Sequence, residues 1–184
     1  MTMTRTLRIA PLATIALLCA CAATTPKPTP PTVVIPGNLG APANESLVRT
    51  LWADGVQIYE CRAKATEASF PEWVFVAPEA KLVDSNGVLA GHHYAGPTWE
   101  AVDGSKVVGV VKAKADAPDA RAIAWLLLAT HSTGTPGVFA NISSIQRVAT
   151  VGGVAPATGC GTATIGQQAR VPYQAQYAQY APAK

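Results

Sequence analysis

Residues 91–106 read GHHYAGPTWEAVDGSK. Asp103-Gly104 separates residues 98–102 from the β-branched run at 105–111. A two-residue Asp-Gly loop suits a type I′ turn, whose backbone twist matches that of paired strands, so the segment predicts a β-hairpin. Side chains alternate across a strand. Trp99, Ala101 and Asp103 therefore share one face, and Thr98, Glu100 and Val102 the other. Gly96-Pro97 breaks the chain ahead of the hairpin, because proline fixes φ and pushes its predecessor to extended geometry. On the strand before that break, His92 and Tyr94 share a face and His93 takes the opposite one.

Working outward, the same alternation recurs. Val56, Ile58 and Glu60 alternate with Gln57, Tyr59 and Cys61, and Trp73, Phe75 and Ala77 alternate with Val74 and Val76. Asn86-Gly87 joins residues 81–83 to 88–89 as a second hairpin signal, and Asp54-Gly55 suggests a third. Residues 123–130, IAWLLLAT, form a continuous apolar run that fits a strand buried on both faces or a core helix segment. Residues 145–151 are β-branched and end at Gly152-Gly153. Short strands separated by Gly, Pro, Asn and Asp predict an all-β fold, one antiparallel sandwich or barrel with hairpin connections. No amphipathic helix alternates with these strands, and no G-x-G-x-x-G joins a strand to a helix. Both absences argue against a dinucleotide-binding parallel sheet.

The ends read differently. Arg5 and Arg8 precede a short apolar run at residues 9–20, the pattern of an export signal that is too short to span a bilayer. Leu18-Cys19-Ala20-Cys21 resembles a bacterial lipobox, which makes Cys21 the lipidated residue and lipid chains the membrane partner. The expected address is the outer membrane, with a periplasmic or secreted form as the alternative. Residues 21–44 are rich in Pro and Thr and read as a tether, with a short helical turn expected at 42–51 and Asn44 as its N-cap. Residues 45–160 form the β domain. Residues 161–184, dominated by Gln, Ala and Tyr, read as a low-complexity mobile tail; the alternative is a short docked helix carrying Tyr173, Tyr177 and Tyr180.

Basic residues fall from 14 to 12 on loss of Arg5 and Arg8, against 11 acidic ones. With no Lys/Arg cluster, the chain lacks the basic footprint of nucleic-acid binding. Cys61 and Cys160 are the cysteines left in the exported domain, and a disulfide is their simplest state.

The strings GVQIYEC (55–61), APEAKL (77–82), GHHYAGPTWE (91–100), DGSKVVG (103–109), WLLL (125–128) and IQRVATVGGVAP (145–156) occur in this order. In that order they resemble a family of exported bacterial and fungal proteins catalogued as a domain of unknown function. Some fungal members carry a malate dehydrogenase label, which the missing nucleotide fingerprint argues against here.

His92, His93, Tyr94, Trp99 and Glu100 are the candidate ligand-binding residues. The aromatic rings would supply contact area, and a histidine with Glu100 the directional hydrogen bonds. Adjacent histidines on a strand diverge, so one zinc ion would need His131 and a carboxylate as well, and no H-x-H or H-E-x-x-H spacing is present. Glu100 and Asp103 fall on different faces, which weakens a paired-carboxylate hydrolase. No G-x-S-x-G elbow occurs. Trp52, Trp73, Trp99 and Trp125 are candidate aromatic platforms, and Trp125 belongs to the core. These residues suggest a non-catalytic binding module for a small molecule, glycan or protein, without cofactor or metal. The competing readings are a hydrolase built on His92 and Glu100, and a structural envelope protein without a pocket.

Overall fold

A computed structural model describes residues 33–64 and 70–184. Eight strands, β1 (Glu45–Arg62), β2 (Glu72–Val83), β3 (Leu89–Tyr94), β4 (Thr98–Ala101), β5 (Lys106–Ala115), β6 (Trp125–Ser132), β7 (Ser144–Gly152) and β8 (Gln168–Pro182), follow one another in chain order. Each pairs antiparallel with the next, and β8 pairs with β1 to close a barrel. Expected strands thus appear around 56–62, 73–77, 98–111 and 145–151. The run at 123–130 resolves as β6 rather than helix.

Two chain reversals differ from expectation in one detail. Gly104 N donates to Ala101 O at 2.9 Å, Ala101 N donates to Ser105 O at 2.9 Å, and Gly104 has φ +84°. Asp103 does not take the positive φ that a type I′ turn demands of it. The loop is three residues, Val102 to Gly104, with glycine in the left-handed position of a bulge. Residues 84–88 repeat the pattern around Gly87, φ +77°. In both, an aspartate carboxylate takes up loop N–H groups: Asp103 from Ser105 and Asp84 from Asn86 and Val88.

Asp54-Gly55 is no hairpin. It lies inside β1, where a Cβ on Gly55 would fall 2.1 Å from Glu79 O, so glycine there permits close approach of β2. Residues 72–83 are one strand, with a register shift opposite Ile58/Tyr59 just before Pro78.

The two ends of the chain depart most from the reading as tether and tail. Residues 168–182 are β8, because Tyr173, Ala175 and Tyr177 alternate inward against outward Gln174 and Gln176. Two tyrosines four apart suit a strand face as well as a helix face. At the other end, residues 37–39 form a turn of 3-10 helix, and the helical turn expected at 42–51 is absent, since β1 begins at Glu45. Leu39 is fully buried with Trp125 and Val148 on the barrel's outer wall, where Val33 and Ile35 also pack. Gln146 Nε2 donates to Leu39 O, and Asn38 Nδ2 to Lys114 O. This cover explains the unbroken apolar run of β6. Leu126 and Leu128 face the interior, whereas Trp125 and Leu127 lie under residues 33–39. The export signal and Cys21 lie outside the described residues.

The core cluster is apolar, while Asp54, Glu79 and Lys81 point outward from β1 and β2. That is the reverse of a membrane-spanning barrel. The loop at 133–143 plugs one end: Phe139 and Ile142 enter the core, Phe139 N donates to Ser105 Oγ, and Arg49 lies over the Phe139 ring. Near the opposite end, Cys61 at the end of β1 is bonded to Cys160, 99 residues away, with a Cα–Cα distance of 5.3 Å. The expected disulfide is present.

Candidate functional site

The end opposite the plug opens into a cavity of about 810 Å³. This is within the range of small-molecule sites. Its floor is aromatic. The Trp99 and His93 rings stack at 4.3 Å between centroids and 16° between planes. Tyr177 meets both edge-on, at 5.1 Å from His93 and 5.5 Å from Trp99. Gly109 makes this stack possible, since a Cβ there would sit 2.8 Å from Trp99 Cζ3. Phe75, Val76, Ile123 and Leu126 are among the apolar wall, and Lys114 and Asp116 stand on its lining.

Polar groups turn into the barrel from β1, β3, β4, β7 and β8. His93 Nδ1 lies 2.9 Å from Thr98 O; a carbonyl only accepts, so Nδ1 carries the proton and Nε2 is left as an acceptor. Burial pushes the His93 imidazole down to about 3, so the ring is neutral at neutral pH. Tyr59 donates to Gly153 O at 2.6 Å, and the Tyr173 and Tyr177 hydroxyls are 3.5 Å apart. Burial raises all three phenols, and nearby Arg147 opposes the rise in each. Arg147 reaches inward from β7 and donates from Nε and Nη2 to Ala124 O at 3.1 and 2.8 Å. Among the described residues no carboxylate pairs with it. Gln57 Nε2 and Trp99 Nε1 are buried donors without a partner among the same residues.

The five residues expected to form one site are divided by the barrel wall. His93 and Trp99 point in. His92, Tyr94 and Glu100 lie on the outer face, where Tyr94 donates to Glu100 Oε2 at 2.6 Å and Lys106 Nζ sits 3.3 Å from the same atom. The Tyr94 hydrogen bond and then Lys106 hold the Glu100 carboxyl below the usual range, while Glu100 raises both Tyr94 and Lys106. This outer cluster satisfies itself. Asp103 is occupied as well, accepting from Ser105 N and Oγ and from Val138 N, so it fastens the plug loop. His131 is exposed. Among the described residues no three His, Cys, Asp or Glu side chains come together as a metal site. Trp73 donates to Thr158 O near the surface, Trp52 is on the outside, and Trp125 lies beneath residues 33–39.

The interior polar residues Gln57, Tyr59, Tyr173, Tyr177 and Arg147 were not among the expected five. For Arg147 the signal was its place two residues after Ile145, on the same strand face as a core residue.

A family model described as "Protein of unknown function (DUF3455)" matches residues 42–181, from just before β1 to the end of β8. The chain belongs to this family. The DUF3455 match thus spans every strand of the barrel, β8 included, and the cavity residues fall inside it. Neither the curated proteins nor the solved structures give a significant match.

Proposed function

We propose that this DUF3455 protein is a non-catalytic binding module of the cell envelope, tethered through lipid on Cys21, which takes a small, largely apolar molecule into the open end of its barrel. The observation that carries this reading is the cavity itself: about 810 Å³, aromatic at its floor and apolar on its walls, with a few polar groups turned inward. Barrels of eight strands are of a size to hold one small ligand.

Binding is favoured over hydrolysis by how the candidate groups are engaged. His93 donates its Nδ1 proton to a backbone carbonyl rather than a carboxylate, and Glu100 is on the far side of the wall from it. A general base needs an orienting partner and a nucleophile within hydrogen-bond reach. The hydroxyl packed against His93 is the Tyr177 phenol, which burial keeps protonated.

The test is uptake of the neutral probe N-phenyl-1-naphthylamine. Its fluorescence is expected to rise on addition of the wild-type domain. Val111→Trp, at the half-exposed rim of the cavity, is expected to reduce that rise without overpacking the core. Absence of any enhancement by the folded wild-type protein would overturn the reading.

A further inference from the structure

We infer that the barrel selects a monoanion, an apolar molecule bearing one carboxylate, and that the carboxylate seats on Arg147. This rests on the binding reading above and specifies its ligand.

Three observations converge on that chemistry. Below the exposed rim, where Lys114 and Asp116 stand, Arg147 is a fixed positive charge among neutral phenols, an amide, an indole and an imidazole. A half-buried guanidinium among neutral groups gains most when a counter-charge meets it. Ala124 O accepts from Nε and Nη2 but brings no charge, and among the described residues no carboxylate reaches Arg147. Guanidinium presents its donors as a planar fork, of which Nη1 is not used by Ala124, and that geometry matches a carboxylate.

The interior also has donors left over. Gln57 Nε2 and Trp99 Nε1 are both buried without partners, on residues only 2% and 1% exposed. A ligand rich in acceptors answers such a surplus, whereas a cationic or donor-rich ligand would meet Arg147 unfavourably. Finally, the charge count sets the valence. Lys114 and Asp116 line the same cavity as one positive and one negative group, which leaves Arg147 as the net charge. One guanidinium suits a single carboxylate better than a phosphate dianion.

The apolar body has room beside the head. Phe75, Val76, Ile123 and Leu126 give walls without charge, and the Trp99–His93 stack gives a flat surface below.

The experiment compares 2-naphthoate with its neutral isostere 2-naphthamide, each competing with N-phenyl-1-naphthylamine for the wild-type domain. The acid is expected to bind roughly ten- to a hundredfold more tightly, the range of a charge-assisted hydrogen bond. Arg147→Met should abolish that preference while the neutral probe still binds, and Lys81→Gln, on the outer face of β2, should leave the preference in place. Arg147→Lys, which keeps the charge and loses the fork, should retain part of it and serves if Arg147→Met does not fold. Probe uptake with equal potency of acid and amide overturns the carboxylate assignment and leaves the binding reading standing. A preference that survives Arg147→Met, or one lost in Lys81→Gln, likewise overturns it. If neither the probe nor the acid binds, both readings fall together.

Discussion

Burial holds the His93 imidazole neutral far below the pH at which an exposed histidine protonates, near 3 against an ordinary 6.5, and the positive charge of Arg147 acts in the same direction. The unfolded chain therefore binds a proton that the folded barrel refuses. Stability that is full above pH 6.5 must decline as pH falls toward 3, by up to about 1.4 kcal/mol per unit. The window from pH 6.5 to 5.5 isolates this effect, since the depressed carboxyls of Glu60, Glu100, Asp103 and Asp119 lose their contribution only as pH falls toward their ordinary values of 4.5 and 3.8. His93→Phe keeps an aromatic ring against Trp99 and removes the proton site. Its melting temperature should change less across that window than the wild-type value, and parallel curves would refute the assignment. Simple strand alternation was enough to part His93 from His92 and Tyr94, and Trp99 from Glu100, but the pairing that sets His93 beside Trp99 belongs to the sheet register. Alternation could not say which side was the interior. Arg147 stayed hidden for a related reason: β7 is covered on both faces, with Gln146 and Val148 beneath residues 33–39, so its pattern lacks a polar side to mark the outside.

At the scale of elements, turn chemistry placed the two hairpins but not their loop type. Asp103 and Asp84 spend their carboxylates on loop N–H groups, and an extra residue enters each loop so that glycine alone takes the left-handed conformation. β8 escaped notice because its alternation is written in Gln, Ala and Tyr, a composition that tethers and strands share. What fixes it as a strand is tertiary: β1 and β7 each offer a free edge, and Tyr173 and Tyr177 fill the space between. The disulfide joins the end of β1 to the segment that leads into β8, and Gly166 N and Gln167 O both bond to the Cys61 backbone. Cys61→Ala with Cys160→Ala should cost about 2–5 kcal/mol. Urea unfolding is the measurement, and an unchanged midpoint at unchanged slope would rule out a stabilising role for the bond.

For the molecule as a whole, the all-β class was legible because short apolar runs were punctuated so regularly by Gly, Pro, Asn and Asp. The cavity was not, since its volume belongs to closure of the ring and to the plug at one end, and no single stretch encodes either. Attachment is a separate question that membrane fractionation answers: Cys21→Ala should move the protein from the membrane pellet to the soluble fraction, and a pellet unaffected by the substitution would remove the lipid tether from the proposal. The pairing of β8 with β1 carries a kinetic consequence. The first strand of the ring waits for its second neighbour until more than a hundred residues have been delivered, so local contacts cannot complete the fold and closure costs the entropy of the longest loop in the sheet. Until then two raw strand edges stand open, and a nascent barrel of this kind is at its most vulnerable to pairing with a stranger.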